Sequence, residues 1–485
     1  MSRRESPVPE DRRARVAIDL GAESCRVSLL RWNGDEPEIS EVHRISNGPV
    51  QQGGSQHWPL DGILAGLEQG LRKAADIGTE GIASIAVDGW AVDYVRLNED
   101  GKPLYDPFCY RDERTIAAKE SADKILPPEE AFRRTGAQPL RINTMYQLLA
   151  EAPDVADAPW VCLPEYVLHW LGAPRIAEYS NATHTGLVDP ATGDWAREIF
   201  DALGISMESA PPIVASGTRL GQLSGPLSDL PAYRHTDLIA PACHDTASAI
   251  AGIAADLEST AYICSGTWSL VGTLVSQPIT SAEALAARYT NQGAASGGFC
   301  FHTNVNGMWL LKQCIEAWSA AGRIWSVADL VKQAEECTEQ VGCINVDAEP
   351  LLLAGEMPQR INGELGRCGQ QAVPDVAGNE PLFARLIFES LAARYAGALA
   401  DLEKMLGREI RRVHILGGAS RNRLLADLAS RRCGIPVDCG HPESSTIGNF
   451  AVQIAASESV GGPLTRERVR LWAGSLCGSE FQPCR

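Results

Sequence analysis

Two segments about 240 residues apart share one pattern, in which a strand, a glycine-containing turn and a second strand follow each other. The first is VAIDLGAESCRVSLLRW at residues 16–32, and the second is TAYICSGTWSLVGTL, which starts at Thr260. Runs of β-branched and apolar residues on either side of a glycine turn predict a β-hairpin in each place. The similarity is short, so chance explains it about as well as an internal duplication does.

Helical and strand patterns alternate along the rest of the chain. Residues 62–75 and HDTASAIAGIAADL at 244–257 carry apolar residues at helical spacing, which predicts two helices. ASIAV at 83–87 has no charge, as expected for a strand buried on both faces, and VHILGG (413–418) and IPVDCG (435–440) are also strand-like. This alternation predicts an α/β architecture in both halves. A length of 485 residues suggests about two or three domains.

Composition argues against several classes of partner. The formal net charge of −18 disfavours nucleic acid and anionic membrane surfaces, which attract clustered Lys and Arg. No uncharged apolar run approaches the ~20 residues that span a bilayer. Residues 1–15 are polar and lack the apolar core of a secretory signal, so we predict a disordered N-terminal extension. The 14 cysteines include no CxxC pair, which favours reduced thiols in a cytoplasmic protein.

The chain lacks the common phosphate-binding motifs. It has no GxxxxGK[ST] loop, and the HRD and DFG signatures of protein kinases are absent. A bound nucleotide would therefore need glycine turns whose backbone N–H groups face its phosphates. In the first hairpin, Asp19 could hold Mg²⁺ and Arg26 could donate to phosphate oxygens. In the second, Gly266 permits close approach and Thr267 supplies a hydroxyl, although either hairpin alone also fits an ordinary tight turn.

Two other short segments carry polar or glycine residues next to helices. Asp245 opens the predicted helix after Cys243-His244, where an acidic residue is either a functional carboxylate or a helix cap. Gly417-Gly418 lies between a strand and a helix, where it would let a flat ligand approach the backbone or simply join the two elements.

Taken in order along the chain, these features resemble the FGGY carbohydrate kinases. The resemblance extends from Val16 to about residue 456, and within the family it is strongest to the rhamnulokinase branch. It rests on AVDGWAVDY, PFCYRDERT, INTMYQLLA, EYSNATHTGLVDPATGDW, HDTAS, SGTWSLVG, NVNGMWLL, GGASRNRLL and ESSTIGN.

The resemblance implies two actin-like ATPase domains of ribonuclease H-like fold with a cleft between them. Residues 16–254 would bind the sugar and carry the catalytic base, residues 255–485 would bind the nucleotide, and a hinge would lie near residues 250–260. The implied reaction is phosphorylation of a ketose by Mg-ATP, with L-rhamnulose as the first candidate and L-fuculose, L-ribulose or D-xylulose as alternatives. A non-catalytic, actin-like nucleotide-binding regulator is the alternative from another class. The implied partners are a small sugar and ATP, and the oligomeric state, monomer or homodimer, stays open.

The resemblance also implies roles for individual residues. Asp245 would be the catalytic base, with an ordinary low pKa, and Asp19 and Asp245 would lie near Mg²⁺, with or without an intervening water. The implied sugar contacts are Asp88, Trp90, Ala91, Arg111, His244, Thr246 and Asn304. The implied ATP contacts are Ala22, Glu23, Ser24, Cys25, Arg26, Gly266, Thr267, Lys312, Gly417, Gly418 and Asn422.

Three positions depart from the family pattern. Rhamnulokinases generally have Thr and Gly where this chain has Gly89 and Ala91, so a methyl group is added in or beside the sugar pocket. One methyl group changes selectivity by about 1–3 kcal/mol. Lys312 stands where the family often has Gln, which adds a positive charge near the nucleotide.

Trp90 and Trp268 fit either core packing or a platform for the sugar ring.

Overall fold

Two mixed β-sheets of six strands each organise the protein. The computed structural model describes residues 7–255, 259–459 and 462–477. The strands are β1 (Ala14–Leu20), β2 (Ser24–Asn33), β3 (Glu36–Ser46), β4 (Val50–Gln52), β5 (Ser55–His57), β6 (Ile82–Gly89), β7 (Tyr94–Arg96), β8 (Trp160–Cys162), β9 (Ala177–Glu178), β10 (Val188–Asp189), β11 (Asp194–Trp195), β12 (Ile213–Val214), β13 (Arg219–Gln222), β14 (Asp237–Ile239), β15 (Thr260–Ser265), β16 (Trp268–Val275), β17 (Tyr289–Gly293), β18 (Phe299–Asn306), β19 (Arg412–Leu416) and β20 (Val437–Cys439).

Helices cover the faces of these sheets. They are α1 (Leu60–Ile77), α2 (Thr115–Ile125), α3 (Pro128–Thr135), α4 (Thr144–Leu149), α5 (Leu163–Trp170), α6 (Tyr179–Ala182), α7 (Arg197–Leu203), α8 (Asp245–Ala251), α9 (Ala282–Ala286), α10 (Trp309–Ala320), α11 (Val327–Glu336), α12 (Met357–Arg367), α13 (Glu380–Leu406), α14 (Arg423–Cys433), α15 (Ser444–Glu458) and α16 (Arg466–Leu476).

Five strands have the same arrangement in the two sheets. The first sheet has the order β13-β14-β6-β1-β2-β3, and the second has the order β17-β18-β16-β15-β19-β20. In each, a predicted hairpin (β1–β2 or β15–β16) is antiparallel, and its first strand pairs in parallel with a later strand, β6 or β19. Both predicted hairpins are therefore confirmed, and their similarity extends to five strands of each sheet, whereas the sixth strands, β13 and β17, lie at opposite edges.

The first sheet is covered on both faces. Alternate residues of β1, such as Val16 and Ile18, pack with α1 in one core, as expected from the twofold repeat of a strand. On the other face, Ala17 and Leu30 pack against Phe450 of α15 and Trp472 of α16. The second sheet has its own core, built with the long helix α13.

Helices α15 and α16 thus belong physically to the first sheet, although they follow the second along the chain. The predicted boundary at residues 254 and 255 separates them from that sheet along the chain, and this boundary stays a prediction. The crossing of α8 and α15 is very close, since a Cβ atom added at Gly448 would lie 1.7 Å from the Ser248 carbonyl oxygen. Only glycine fits there, so the sequence permits an approach of backbone to backbone.

One helix ends, and one strand begins, at a different residue from the one that the sequence pattern predicts. The helix predicted over residues 244–257 ends at Ala251, because Gly252 follows and its N–H group closes the last turn on Ser248. Strand β1 begins at Ala14, so Ala14 and Arg15 lie buried in the sheet rather than in the extension. Residues 1–6, and residues 256–258 of the predicted hinge, lie outside the described residues. Within the described ranges, no helix is both long and apolar enough to cross a membrane.

Candidate active site

Three carboxylates converge at the ends of strands in the first sheet. Asp19 and Asp88 are direct neighbours in the parallel pairing of β1 with β6. Asp245 opens α8, and the residue before it, His244, bridges to Gly89 just beyond Asp88. Asp88 is fully buried and Asp19 is nearly so. The sheet register therefore brings together two of the predicted residues, and the loop after β14 adds the third.

The electrostatics of Asp245 differ from the expectation of an ordinary low pKa. Burial and the nearby Asp19 carboxylate raise the pKa of Asp245 to about 7, against smaller lowering effects of Thr246 and Arg26. Its side chain is still 39% exposed, so it lies in a cleft that solvent enters but that protein surrounds. A carboxylate with a pKa near neutrality is a better proton acceptor than an exposed one.

Asp19 is held by two donors from different parts of the chain. Arg26, opposite it in the β1–β2 hairpin, forms an ion pair with Asp19, and Ser445 of α15 donates to the same carboxylate over 2.7 Å. Arg26 also pairs with Glu443, just before α15. The guanidinium group predicted to bind phosphate therefore has two carboxylate partners in this structure.

A hydrogen-bonded row on α15 supports Asp88. The Asn449 amide donates to Asp88 Oδ2 over 2.6 Å, Gln453 donates to Asn449 over 2.7 Å, and Ser84 donates to Gln453 over 2.6 Å. Asn449 and Gln453 have no exposed surface. The other oxygen, Asp88 Oδ1, is buried without a hydrogen-bond partner among the described residues. Burial, Asp19 and Asp245 raise the pKa of Asp88 well above its usual range, against the lowering effect of the Asn449 amide.

The stretch ESSTIGN is similar to the family, but no role was predicted for these side chains of α15. Their spacing was a usable signal, because Ser445, Asn449 and Gln453 are four residues apart and so lie on one face of a helix. Polar residues at that spacing inside an otherwise apolar helix indicate a buried polar contact.

His244 and Thr246 flank the predicted base. His244 occupies the N-cap position of α8, so Asp245 is the first helical residue rather than the cap. His244 Nε2 lies 3.3 Å from Asp245 Oδ1, and Thr246 Oγ1 donates to the same oxygen over 3.1 Å. The His244 ring packs on His184 with centroids 3.9 Å apart. Burial lowers the pKa of His244 to about 3, so the imidazole is neutral.

The loop after β6 is rigidly anchored. The indole N–H groups of Trp90 and Trp58 both donate to Asp93 Oδ2, over 2.9 and 2.6 Å, and the two rings lie 4.5 Å apart. Trp90 is 7% exposed, which supports its core role, and Ala91 is 8% exposed. Val92 has a φ of 72°, a strained value for a β-branched residue, and Thr144 holds its carbonyl.

The glycine turns of the second sheet lie beside each other. Gly417 has a φ of 76°, and a Cβ atom there would lie 3.0 Å from the Ser265 carbonyl oxygen, next to Gly266 and Thr267. Gly418 follows and begins a short 3₁₀ turn. Trp268 is 46% exposed at this hairpin, so it is not a core aromatic residue.

An ion pair links α10 to the first hairpin. Lys312 Nζ on α10 lies 2.5 Å from Glu23 Oε1 in the turn between β1 and β2, and both side chains are roughly half exposed. Both were predicted ATP contacts. Ala22 and Ser24 lie in the same turn, half-buried, whereas the Cys25 side chain is in the core, so Cys25 has only backbone groups to offer a ligand.

The remaining predicted residues differ in how they are placed. Asn304 is half-buried on the face of β18 that also carries His302. Arg111 is exposed and its side chain packs on Tyr110, so its sugar contact rests on the resemblance. Asn422 Oδ1 caps α14 by accepting from the Leu425 N–H, and Asn422 Nδ2 is buried without a partner in the described part of the chain.

The models of two domains of one known family together match almost the whole chain. Residues 14–252 match the N-terminal domain, and residues 261–457 the C-terminal domain, of the FGGY family of carbohydrate kinases. The chain belongs to the FGGY family of carbohydrate kinases.

Curated relatives of this FGGY kinase include rhamnulokinases. That of Bacteroides thetaiotaomicron is 33% identical over 443 residues, covering 90% of this chain and 89% of its own. That of Enterococcus faecalis is 34% identical over 455 residues, covering 92% of this chain and 90% of its own. Together with the family match, they identify this FGGY kinase as an ATP-dependent sugar kinase, as predicted.

Solved structures confirm the fold class. The xylulose kinase of Lactobacillus acidophilus has a TM-score of 0.76 at 16% identity, with 97% of this chain and 92% of that chain covered. The gluconate kinase of the same organism has a TM-score of 0.77 at 17% identity, with the same coverage. This FGGY kinase thus has the two-domain, actin-like ATPase fold, while the boundary at residues 254 and 255 stays a prediction.

The carboxylates of this FGGY kinase suit Mg²⁺. In the described ranges, no group of three or more His, Cys, Asp or Glu side chains could hold a metal ion by itself. Mg²⁺ is usually bound by one or two carboxylates together with water and substrate phosphates. Asp19 and Asp245 match that mode, and the unpartnered Asp88 Oδ1 could accept from a bound water.

Proposed function

We propose that this kinase transfers the γ-phosphoryl group of ATP to the 1-hydroxyl group of L-rhamnulose, giving L-rhamnulose 1-phosphate and ADP. The observation that carries the proposal is the similarity to two rhamnulokinases over about nine-tenths of the chain, at 33% and 34% identity. The neutral imidazole of His244 and the hydroxyl group of Thr246, both beside Asp245, support a sugar as the acceptor.

In the proposed reaction, Asp245 takes the proton of the acceptor hydroxyl. The hydroxyl oxygen then forms a bond to the γ-phosphorus, and the bond from that phosphorus to the β,γ-bridging oxygen breaks, leaving ADP. Thr246 and His244 fix the Asp245 carboxylate at 3.1 and 3.3 Å, so the base is oriented before the sugar arrives.

The phosphate groups would lie between the two glycine turns. Backbone N–H groups of Ala22 to Arg26 and of Gly266 and Thr267 would donate to them, and Lys312 would add a positive charge from α10. Mg²⁺, when bound near Asp19 and Asp245, would neutralise part of the phosphate charge. Phosphoryl transfer needs positioning and charge stabilisation more than covalent participation, and these residues supply both.

Another ketose is the second candidate, and Ala91 is the observation that favours it. Its methyl group lies on the rigid loop next to Asp88, where the family generally has glycine, and it is 8% exposed. A methyl group in a sugar pocket shifts the ratio of kcat/KM between two substrates by about 10- to 200-fold.

The test is ADP release with Mg-ATP and L-rhamnulose, L-fuculose, L-ribulose, D-xylulose or glycerol, using wild type, Asp245→Asn and Ala91→Gly. Turnover on L-rhamnulose that Asp245→Asn reduces by about 10³-fold or more supports the proposal. A higher kcat/KM on another sugar, shifted toward L-rhamnulose by Ala91→Gly, supports the second candidate. Absence of turnover on every sugar, with ATP still bound, contradicts both.

A further inference from the structure

Three buried polar atoms near His244 find no hydrogen-bond partner in the described part of the chain. They are His184 Nε2, His302 Nε2 and Gln292 Oε1. His302 has no exposed surface and His184 is 9% exposed. Buried polar atoms are nearly always hydrogen-bonded, so three unpaired ones in one place call for an explanation. None of these residues has a role predicted from the sequence or from the family motifs.

The three residues come from both halves of the molecule. His184 lies in a short 3₁₀ turn, Thr183–Thr185, after α6, and its ring packs on His244 at 3.9 Å. Gln292 lies on β17, and its amide nitrogen donates to His184 Nδ1 over 3.0 Å. His302 lies on β18, where it pairs with Thr290 of β17. Asn304, a predicted sugar contact, is two residues further along β18 and so faces the same side.

Each imidazole uses one nitrogen inside the protein and leaves the other unpaired. Gln292 occupies His184 Nδ1, so the proton of the neutral ring is on Nε2. The Tyr262 hydroxyl lies 2.9 Å from His302 Nδ1. Gly272 lies between Tyr262 and His302 in the sheet, and a Cβ atom there would lie 2.4 Å from His302 Cβ. The absence of a side chain at Gly272 thus lets these two side chains meet.

The chemistry of the cluster selects the kind of ligand. Burial lowers the pKa of His302 to about 3, and burial together with the neighbouring imidazoles lowers the pKa of His184 well below its usual range. Both rings of the subsite are therefore neutral, and Gln292 is uncharged. This set offers a phosphate no positive charge, and the proton on His184 Nε2 keeps a metal cation from that nitrogen. Hydroxyl groups both donate and accept, so they satisfy all three atoms.

We infer that His184, His302 and Gln292 form a hydroxyl-binding subsite that determines which ketose the kinase accepts. The subsite adjoins Asp245 through His244, so it would contact hydroxyl groups beyond the one that is phosphorylated. This inference rests on the proposed function of the cleft. Because His184 lies in the first half and the other two in the second, a sugar bound there would contact both halves at once.

The test uses the best ketose substrate, its monodeoxy analogues, and the variants His184→Phe and His302→Phe. Phenylalanine keeps the ring and removes both nitrogens. We expect each variant to lower kcat/KM for the parent ketose about tenfold, mainly through KM, because one hydrogen bond to the sugar is lost. For the analogue that lacks the contacted hydroxyl, wild type and variant should have the same kcat/KM. The KM for ATP should stay within about twofold, because the nucleotide turns are untouched.

His169→Phe is the matched control, since His169 lies on α5 and its Nδ1 contacts the Ala173 carbonyl, outside the cluster. Equal losses on every deoxy analogue would mean that the two histidines only support the fold, and the inference would be wrong. Unchanged kcat/KM for the parent ketose would mean that the three atoms bind water only, which also overturns it. If wild type phosphorylates no sugar, the proposed function fails separately. Calorimetric titration of the same ketoses into wild type and variants then tests whether the subsite binds the hydroxyl groups of the sugar.

Discussion

Asn449 of α15 donates a 2.6 Å hydrogen bond to Asp88 at the end of β6, although the two residues are 361 positions apart in the chain. Replacing Asn449 by Leu keeps the volume and removes the donor, so Asp88 loses its support. We expect kcat to fall about 10- to 100-fold, with a smaller change in the KM for ATP. The reason is that a misplaced Asp88 carboxylate disturbs the phosphoryl-transfer step more than it disturbs ATP binding. Steady-state kinetics on the sugar that wild type prefers measure both values.

Ser457→Ala is the control for that variant, because Ser457 is on the same helix and its hydroxyl bonds only to the Gln453 carbonyl within α15. A loss of thermal stability equal in Asn449→Leu and Ser457→Ala, with equal kcat, would contradict a positioning role for Asn449.

The raised pKa of Asp245 predicts a pH dependence on the acid side. The base must be ionised, and its pKa of about 7 keeps it protonated at lower pH. We therefore expect kcat/KM for the sugar to fall about tenfold per pH unit below about pH 6.5 and to level off above about pH 8. A profile that stays flat down to about pH 5 would show that Asp245 keeps an ordinary pKa in the working enzyme.

The Glu23–Lys312 ion pair predicts opposite effects for its two partners. Glu23 and a bound phosphate group would compete for the positive charge of Lys312. Glu23→Gln should therefore lower the KM for ATP about two- to threefold, and Lys312→Gln should raise it. Because the pair is about half exposed, each change should alter the free energy of unfolding by less than about 1 kcal/mol.

Lys404→Gln is the control, since Lys404 forms a more exposed 2.5 Å pair with Glu283, away from the glycine turns. Changes of the same sign in the KM for ATP in both Glu23→Gln and Lys312→Gln would contradict the competition.

Phe450 predicts a link between core packing and catalysis. It is fully buried between α15 and the first sheet, and Phe450→Ala should lower the free energy of unfolding by about 3–5 kcal/mol. Phe388→Ala in the core of the second sheet should cost a similar amount. Only Phe450→Ala should also lower kcat, because α15 carries Asn449 and Ser445. Urea denaturation and kinetics on both variants check this, and equal kcat values would contradict it.

The sequence predicted the parts of the site that depend on short stretches of chain. The hairpins could be read from their strand and turn residues, and Asp19 and Asp88 from their positions at strand ends. The spacing of Ser445, Asn449 and Gln453 indicates buried polar contacts, but the partners of these side chains could not be predicted, because they lie 361 to 437 positions away along the chain.

The raised pKa of Asp245 was missed for a related reason. It depends on how much protein surrounds the carboxylate and on its distance from Asp19, which no stretch of sequence gives. His184 and Gln292 could likewise have been singled out from the sequence, because His184 lies in a stretch that is similar to the family. Their pairing across the two halves became visible only in three dimensions.

The return of α15 and α16 to the first sheet has a consequence for how the protein is made. On the ribosome, β1 and β2 emerge early, but one face of their sheet cannot be covered until residues beyond 444 have been synthesised. During that interval Ala17 and Leu30 stay open to water or to other chains. We expect the nascent first half to need chaperone protection, and its sheet to close only after α15 and α16 have been synthesised.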